Sequence, residues 1–440
     1  MIVETKKGKI TGIDRGDYVE YRGIPYAKPP TGELRWKAPQ PVEPWEGVLE
    51  ATEWTCRAMQ DTGPGAPPYD KEFYDDPAWL LPVSEDCLYL HIWAPKGKGK
   101  TPYPVALWIH GGAFMGGYAS EKEFDGAAYC RRGVILVSIE YRLNIFGFLA
   151  HPALSAENER HISGNYGMLD QVMALDFVYE NIAAFGGDPE NITIFGQSAG
   201  AMSVQTLVSS RLTGNKIAKA IMQSGGSYGG GMHRDITLAE QEGYGLILQD
   251  LLGAENIREM RALPADKIAA AMPQWLMTVN IPNFGLFMAP TMDQYLLEGT
   301  YYGLMDEGKI RDIPYMLGSL RDDMMVTPQM KETGAHSALY QGCIDFSKKL
   351  EELGRESAYV YYFSRPLPGD DFGAFHSAEL WYMFGTMDRC WRPWEARDYE
   401  LSGRMLDYWT NFMRTGDPNG AGLPVWLPCT AEEEAVLELY

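Results

Sequence analysis

Short apolar runs alternate with longer stretches of helical periodicity along most of this chain. Buried strands are predicted where a run is apolar on both faces, at residues 104–110, 134–141, 192–195, 220–224, 314–319 and 358–364. Helices are predicted at residues 168–185, 238–252 and 347–353. Strands that are apolar on both faces and are separated by helices indicate an α/β fold with a mostly parallel central sheet covered on both sides.

The first hundred residues follow another pattern. They are rich in proline and glycine and contain short alternating pieces, which indicate an antiparallel edge and long surface loops. No polar linker divides the chain. We therefore predict a single domain over residues 1–440, with excursions from the sheet near residues 53–84, 226–300 and 328–350.

Charge and composition narrow the possible partners. The 440 residues carry a formal net charge of −21, whereas binding to nucleic acid or an anionic membrane requires clustered cations. We therefore expect neither partner, and a monomer or weak homo-oligomer. The N-terminus lacks the apolar core of a signal peptide and no uncharged apolar run reaches 18 residues, so we expect a cytoplasmic protein. Six cysteines form neither a CxxC pair nor a cluster with histidine, so we expect no metal site and no cofactor.

One serine is enclosed by small residues. In the stretch FGQSAGA, Ser198 has glycines two positions away on each side, and the motif follows a predicted strand and precedes a predicted helix. A GxSxG pattern alone is a weak signal in a chain with 47 glycines. At a strand-to-helix turn, however, Gly196 and Gly200 let helix and strand approach while the serine is held in a strained conformation above the sheet. We predict that Ser198 is a nucleophile.

A second glycine-rich loop follows an earlier strand. The stretch ALWIHGGAFMGG places small residues where main-chain N–H groups can face a substrate carbonyl. We assign the oxyanion hole to the N–H groups of Gly112, Ala113 and Ala199, with Gly111 as a further candidate. The alternative is that HGG forms only a tight turn.

A serine nucleophile needs a base, which in this architecture follows it in the chain. Three histidines lie beyond Ser198: His233, His336 and His376. His376 is favoured because it comes about 12 residues after the last predicted core strand. A metal site that pairs His376 with Glu379 is disfavoured, because no second histidine accompanies them.

The third member of a triad should follow the preceding strand. Asp322 and Asp323 both stand shortly after the strand that ends near residue 319. A buried carboxylate there would orient the imidazole and stabilise its protonated form. Spacing alone does not choose between them, and the other aspartate is expected to cap a helix or face solvent.

These residues and several longer motifs resemble the type-B carboxylesterase family, which includes cholinesterases and bacterial para-nitrobenzyl esterases. The resemblance covers nearly the whole chain and implies the α/β-hydrolase fold. The motifs that carry it are FGQSAGA, HGGAF, RGIPYAKPPTGELRW (22–36), SEDCLYLHIWAP (84–95), EYRLNIFGFL (140–149), GNYGMLDQ (164–171), FGGDPENITIFGQSAG (185–200), GAFHSAEL (373–380) and WTNFMRTGDPN (409–419).

The resemblance implies roles for further residues. It places the triad acid at Asp323, where most relatives have glutamate. It also implies two ion pairs, Arg35 with Glu85 and Arg142 with Asp170. Secreted relatives have a disulfide at the positions of Cys56 and Cys87, but two buried thiols are the favoured alternative in a reducing cytosol.

The substrate site is expected to involve Gly111, Gln197 and Trp381 as binding residues. The chain is shorter than typical family members between residues 226 and 375, which implies a more open cleft. Apolar residues that could line it, each with a core role as the alternative, are Trp275, Leu276, Met277, Phe284, Phe287, Met288, Trp381 and Met383.

Together these features predict a serine carboxylesterase that hydrolyses small-molecule carboxylic esters through an acyl-enzyme intermediate, without a cofactor. One alternative is a non-catalytic, cholinesterase-like binding protein. Another is an acyltransferase or amidase that uses the same triad. No residue distinguishes between the possible acyl acceptors or leaving groups.

Overall fold

The computed structural model describes residues 2–440 except 64, 98, 100, 231–233 and 280–287. The strands are β1 (Ile2–Glu4), β2 (Lys9–Thr11), β3 (Ile13–Asp14), β4 (Tyr18–Pro25), β5 (Val48–Glu50), β6 (Arg57–Ala58), β7 (Val83–Ser84), β8 (Tyr89–Pro95), β9 (Tyr103–Ile109), β10 (Ile135–Ile139), β11 (Gly187–Gln197), β12 (Lys219–Gln223), β13 (Ile236–Thr237), β14 (Thr291–Met292), β15 (Tyr315–Leu320), β16 (Tyr359–Phe363) and β17 (Val436–Leu439).

The helices are α1 (Tyr69–Glu72), α2 (Ala127–Arg131), α3 (Asn144–Phe148), α4 (Pro152–Glu157), α5 (Tyr166–Asn181), α6 (Ala199–Ser209), α7 (Leu238–Leu252), α8 (Ile257–Ala262), α9 (Ala265–Val279), α10 (Tyr301–Asp306), α11 (Pro328–Thr333), α12 (Ala338–Glu352), α13 (Leu380–Phe384) and α14 (Ala396–Thr415). None of the described helices is both long enough and apolar enough to span a bilayer.

Ten strands form one central sheet in the order β17-β16-β15-β12-β11-β9-β10-β8-β4-β3. The block from β17 to β10 is parallel, and it contains all six strands predicted from the apolar runs. The pairs β10–β8, β8–β4 and β4–β3 are antiparallel, so the predicted antiparallel edge is confirmed. Within this order, the loops that follow β9, β11 and β12 meet at one edge of the sheet.

Alternate side chains of the central strands enter two separate cores. In β9, Leu107 packs into the core beneath α5 and α6, whereas its neighbour Trp108 packs into the core beneath α13 and α14. Both residues are fully buried. The predicted arrangement of a mostly parallel sheet with helices on both sides is therefore confirmed.

The predicted helices are present, with one shifted boundary. Residues 168–185 form α5 and a following turn of 3₁₀ helix, and residues 238–252 form α7. The helix predicted at 347–353 begins nine residues earlier, at Ala338. Ser337 explains the early start because its hydroxyl accepts a hydrogen bond from Tyr340 N (3.2 Å) and so caps the helix.

The predicted excursions contain several elements that lie outside the ten-stranded sheet. Residues 53–84 hold β6, α1 and β7, residues 226–300 hold β13, β14 and α7 to α9, and residues 328–350 hold α11 and most of α12. The first of these excursions matters most for the site described below, since α1 lies beside it.

Both ion pairs implied by the family resemblance are present. Arg142 donates to the two carboxylate oxygens of Asp170 at 2.7 and 2.8 Å, and both side chains are buried. Arg35 pairs with Glu85 in the same two-pronged manner, at 2.5 and 2.6 Å. The first pair joins α5 to the loop after β10, so it ties a covering helix to the sheet.

Cys56 and Cys87 are buried free thiols rather than a disulfide. The Cys56 thiol donates to the carbonyl oxygen of Asp86 at 2.9 Å. Burial raises the pKa of Cys56 to about 12 and raises that of Cys87 well above its usual value. Both thiols are therefore protonated and unreactive near neutral pH.

Breaking the Arg142–Asp170 pair should destabilise the fold strongly. Asp170→Ala leaves a guanidinium buried without its counter-charge, which typically costs about 3–5 kcal/mol. Urea unfolding followed by circular dichroism should show a loss of that size in the free energy of unfolding. Glu43→Ala, which removes one partner of the exposed pair with Lys28, should change it by about 1 kcal/mol or less. Equal losses in the two variants would contradict the proposed importance of burial.

Candidate active site

Ser198 stands at the sharp turn between β11 and α6. Its backbone has φ 58° and ψ −125°, a conformation that L-residues other than glycine rarely adopt. The strain is held by main-chain hydrogen bonds on both sides, from Ser198 N to Gln223 O (2.8 Å) and from Met202 N to Ser198 O (3.0 Å). The turn therefore presents the Ser198 side chain above the sheet, as the sequence predicted for a nucleophile.

The glycines around Ser198 are required by close contact between backbones. A Cβ atom on Gly200 would overlap the carbonyl oxygen of Ile109 in β9, and one on Gly196 would lie 2.5 Å from the carbonyl carbon of Gly200. Neither obstacle is the flexible end of a side chain, so neither can move aside cheaply. Helix α6 can begin directly above β9 and β11 only because both positions lack a side chain.

The loop after β9 bends back toward the serine. Gly112 and Ala113 both have positive φ angles, 102° and 57°. Gly111 lies so close that a Cβ atom there would be 2.7 Å from Gln197 O and 3.2 Å from the Ser198 Cβ. In the described part of the chain, the N–H groups of Gly112 and Ala113 have no hydrogen-bond partner. The Ala199 N–H is the first of helix α6 and has no intrahelical acceptor, so three donors are available beside the Ser198 side chain.

His376 and Asp323 form a buried pair. His376 lies in the loop after β16, and its Nδ1 is 2.5 Å from Oδ1 of Asp323, which follows β15. Because an ionised carboxylate can only accept, Nδ1 carries the proton. The His376 Nε2 then has a free lone pair, which accepts a hydrogen bond from the side-chain amide of Gln197 at 3.1 Å. This places the basic nitrogen next to the residue that precedes Ser198.

Asp323 is held by three further donors, which the sequence analysis did not identify. Its Oδ2 accepts from the Ser224 hydroxyl (2.7 Å) and from Leu320 N (3.0 Å), and its Oδ1 accepts from Met324 N (2.8 Å). Ser224 directly follows β12 and has a positive φ of 52°. A polar residue with small neighbours at the end of a core strand was the available signal for this position.

Asp322, the other acid considered, faces elsewhere. Its carboxylate accepts from Ala374 N at 2.8 Å and forms ion pairs with Arg321 (3.0 Å) and Lys331 (2.8 Å). The hydrogen bond to Ala374 fixes the loop that carries His376. Asp322 therefore supports the loop, whereas Asp323 contacts the imidazole.

His336, the other described histidine that follows Ser198, does not join this group. His336 stacks on Tyr340 with ring centroids 3.9 Å apart and packs edge-on against Tyr362. His233 lies outside the described residues. His110, in the glycine-rich loop, is fully buried against Tyr141, and burial lowers its pKa to about 4.

Burial and charge act in opposite directions on His376. Burial lowers its pKa, but the Asp323 carboxylate and, to a smaller extent, Glu379 outweigh that effect and raise the pKa above its usual value. Glu379 is itself fully buried. Burial, together with the nearby Asp323, raises the pKa of Glu379 to about 7. Two acidic residues, Asp323 and Glu379, thus act on the pKa of the imidazole.

Ser198 and His376 line one cavity of about 340 Å³. Gly111, Gly112, Ala113 and Gln197 line it too, and α1 with its flanking residues supplies the opposite wall. Lining residues that the sequence analysis did not single out include Tyr69, Phe73, Tyr74, Trp108, Glu121, Glu123, Phe124, Met324 and Leu380. The cavity is therefore lined by aromatic side chains and small residues, together with several polar groups.

Trp381 does not line this cavity. It is fully buried behind the wall, stacked on Phe73 with ring centroids 5.5 Å apart, and its indole N–H donates to Glu72 at 2.7 Å. Of the other apolar residues expected in the cleft, Phe284 and Phe287 lie outside the described residues, and none of the remaining ones lines the cavity. Trp275 and Met288 are buried in the core beneath α5 and α6 instead, and Met277 is exposed.

A buried ion pair fixes the wall that α1 forms. Glu72, at the end of α1, contacts the Arg392 guanidinium at 2.8 and 2.9 Å, and Arg392 also pairs with Asp370 at 2.8 Å. Glu72 and the guanidinium are both fully buried. The segment that covers the cavity is thus tied to the C-terminal part of the chain. In the described residues, no group of three or more His, Cys, Asp or Glu side chains could hold a metal ion.

Filling the contact at Gly200 should disrupt the turn. Gly200→Ala forces α6 away from β9, and the free energy of unfolding should fall by about 1–3 kcal/mol. Gly243→Ala is the matched control, because Gly243 lies within α7 with open space around its Cβ position. It should stabilise the protein by about 0.5–1 kcal/mol. Urea unfolding of both variants tests this, and a Gly200→Ala protein as stable as the parent would rule out the close contact.

Comparison with known proteins agrees with this site. The model of the carboxylesterase family matches residues 1–338 and 324–440. Para-nitrobenzyl esterase of Bacillus subtilis is 33% identical over 95% of this chain and 90% of its own length. Fumonisin B1 esterase of Sphingopyxis macrogoltabida is 36% identical over 73% of this chain, but the match spans only 56% of that enzyme.

Solved structures show the same fold. A structure of PNB esterase and one of a thermophilic PNB esterase each superpose with a TM-score of 0.87 at 29% identity, over 100% of this chain and 96% of theirs. The predicted α/β-hydrolase fold is confirmed, and the predicted enzyme class, a carboxylic-ester hydrolase, is confirmed at the level of the family. The chain belongs to the carboxylesterase family.

Proposed function

We propose that Ser198, His376 and Asp323 are the catalytic triad of a serine esterase that hydrolyses small carboxylic esters. The observation that carries the proposal is the arrangement of the three residues. Ser198 and His376 line one cavity, and the Nδ1 atom of His376 lies 2.5 Å from Oδ1 of Asp323. The strained Ser198 backbone and the free N–H groups beside it support the same assignment.

In the first half of the reaction, Ser198 Oγ attacks the ester carbonyl carbon while His376 Nε2 takes the hydroxyl proton. For this, Nε2 must exchange its hydrogen bond with Gln197 for one with Ser198. The carbonyl oxygen becomes an oxyanion, which the N–H groups of Gly112, Ala113 and Ala199 stabilise. Asp323 balances the positive charge that develops on the imidazole.

In the second half, the tetrahedral intermediate collapses. His376 gives its proton to the leaving alkoxide, the carbon–oxygen bond of the ester breaks, and the acyl group remains on Ser198. A water molecule then attacks the acyl carbon as His376 takes one of its protons. Return of that proton to Ser198 Oγ releases the carboxylic acid and regenerates the enzyme.

The size of the cavity supports small substrates. A volume of about 340 Å³ lies at the lower end of the usual range for small-molecule sites. No contact in the described part of the chain favours an acyltransferase, an amidase or a non-catalytic binding protein over the esterase. A cytoplasmic location, a monomeric or weakly oligomeric state and a single-domain organisation stay predictions.

Removing the nucleophile should abolish turnover. Ser198→Ala should lower kcat on p-nitrophenyl acetate at least about a thousandfold, because triad members act together. A fluorophosphonate probe should label the parent and leave this variant unlabelled. Ser209→Ala, at the other end of α6, should retain both activity and label. A labelled Ser198→Ala protein would assign the nucleophile elsewhere.

The two aspartates should differ sharply. Asp323→Asn should lower kcat/KM on the order of 10³- to 10⁴-fold, because an amide cannot stabilise the imidazolium or enforce the Nδ1–H tautomer. Asp322→Asn should lower it less than about tenfold, since an amide oxygen can still accept from Ala374 N. The opposite ranking would move the acid to Asp322.

The pH profile gives a second readout of the same pair of variants. Activity requires neutral His376, so kcat/KM falls as the pH drops through the His376 pKa. Asp323 raises that pKa against the lowering effect of burial. Residual activity of Asp323→Asn should therefore persist to lower pH than the activity of the parent. In Asp322→Asn, kcat/KM should fall over the same acidic pH range as in the parent.

A further inference from the structure

The cavity that holds Ser198 has two buried carboxyl groups on its wall. Glu121 and Glu123 line it together with the catalytic residues, and they are only 6% and 1% exposed. The neighbouring wall is aromatic, formed by Phe73, Tyr74, Trp108 and Phe124. Burying a carboxyl group among aromatic rings is unfavourable unless it has hydrogen-bond partners. Two such groups on a substrate cavity therefore call for a functional explanation.

Glu121 is partly satisfied by the protein itself. Its Oε1 accepts from the Tyr74 hydroxyl at 3.1 Å and from Tyr118 N at 3.2 Å. Glu123 differs, since its Oε2 is buried and receives no hydrogen bond from any donor in the described part of the chain. Glu123 therefore has a carboxyl oxygen that no donor in the described part of the chain uses.

Nearby cations do not pair with either carboxyl group. Lys122 stands between the two glutamates in the chain, but its ammonium group pairs with Asp75. The Arg57 guanidinium lies over the Tyr118 ring, 5.4 Å from its centroid. Among the described residues, neither Glu121 nor Glu123 has a Lys or Arg within ion-pair distance.

The protonation of the two groups is coupled. Burial raises the pKa of Glu121, and burial together with the neighbouring Glu121 raises the pKa of Glu123 well above its usual value. Burial and the like charge of the neighbour both oppose ionisation, so the two carboxyl groups do not both ionise readily. Such a pair attracts hydrogen-bond donors and repels a carboxylate.

We propose that Glu121 and Glu123 form a polar subsite for a hydrogen-bond donor, a hydroxyl or a protonated amine, carried by one half of the ester substrate. The proposal rests on the esterase function, because the cavity is a substrate site only if Ser198 is the nucleophile. Ser198 and both glutamates line the same cavity of about 340 Å³, so they belong to one candidate substrate site. The subsite selects donor-bearing esters over apolar esters of the same shape.

Two series of matched esters test this. One series varies the alcohol, as acetates of 3-ethylphenol, 3-(hydroxymethyl)phenol, 3-(aminomethyl)phenol and 3-hydroxybenzoic acid. The other varies the acyl group, as p-nitrophenyl esters of phenylacetic acids that carry the same four 3-substituents. In at least one series, the parent should hydrolyse a donor-bearing ester with a kcat/KM at least about tenfold above that of the ethyl ester. The carboxylate-bearing ester should be slowest.

Variants of Glu123 show whether the subsite causes that preference. In Glu123→Leu, the ratio of kcat/KM for the donor-bearing ester to kcat/KM for the ethyl ester should fall to about one or below. Glu123→Gln keeps an acceptor oxygen without a negative charge, so it should lower the preference for the amine more than that for the hydroxyl. Each ratio is measured on one preparation and is independent of the fraction of folded enzyme. Glu46→Leu, the same substitution at an exposed position outside the cavity, should retain the parental ratios.

The outcomes separate this proposal from the esterase function. Hydrolysis of the ethyl esters with a ratio near one in both series of the parent would overturn the subsite and leave the esterase intact. An unchanged ratio in Glu123→Leu would also overturn it. Absence of both ester hydrolysis and fluorophosphonate labelling in the parent would instead contradict the esterase function itself. If Glu123→Leu does not fold, the ratios of the parent and of Glu123→Gln still decide.

Discussion

Contact between backbones at the end of three neighbouring strands is the constraint on which this site depends. A Cβ atom at Gly111, Gly196, Gly200 or Gly225 would run into main-chain atoms of the adjoining segment. Main-chain groups can approach this closely only where side chains are missing. The same approach strains Ser198 and brings the loop after β9 against it. The strained turn at the proposed nucleophile and the proposed oxyanion donors are therefore consequences of one packing requirement.

Hydrogen bonds of buried charges then fix the side chains around that frame. Asp323 reaches His376 with one oxygen, while Ser224 and Leu320 N hold the other. The proposed triad acid is shorter than the glutamate usual in the family, and these donors fix its position. The imidazole consequently has a defined tautomer before any substrate arrives, which reduces the reorganisation needed during the reaction. Glu379, buried behind the imidazole, adds a second acidic group whose pKa of about 7 lies near that of a histidine.

The opposite wall of the cavity belongs to a different part of the chain. Helix α1 is too short to be stable by itself, and the buried pair of Glu72 with Arg392 holds it in place. This wall supplies aromatic surface and, through Tyr74, one partner of Glu121. The excursion at residues 53–84 therefore shapes the substrate side of the site, while the sheet edge provides the chemistry.

The sequence by itself determined the layered fold, the turn at Ser198 and the donor loop, because apolar runs and glycine spacing express local backbone requirements. It also named His376, since only three histidines follow Ser198. Residue spacing could not choose between Asp322 and Asp323, and the family resemblance pointed to Asp323. Only the tertiary structure shows that Asp323 contacts the imidazole while Asp322 contacts Ala374 N, because the direction of each side chain depends on its long-range partners. The cavity wall was decided in the same way. Trp381 was expected there but packs behind Phe73, and Glu121 and Glu123 face the cavity, because lining is a property of segments brought together from distant parts of the chain.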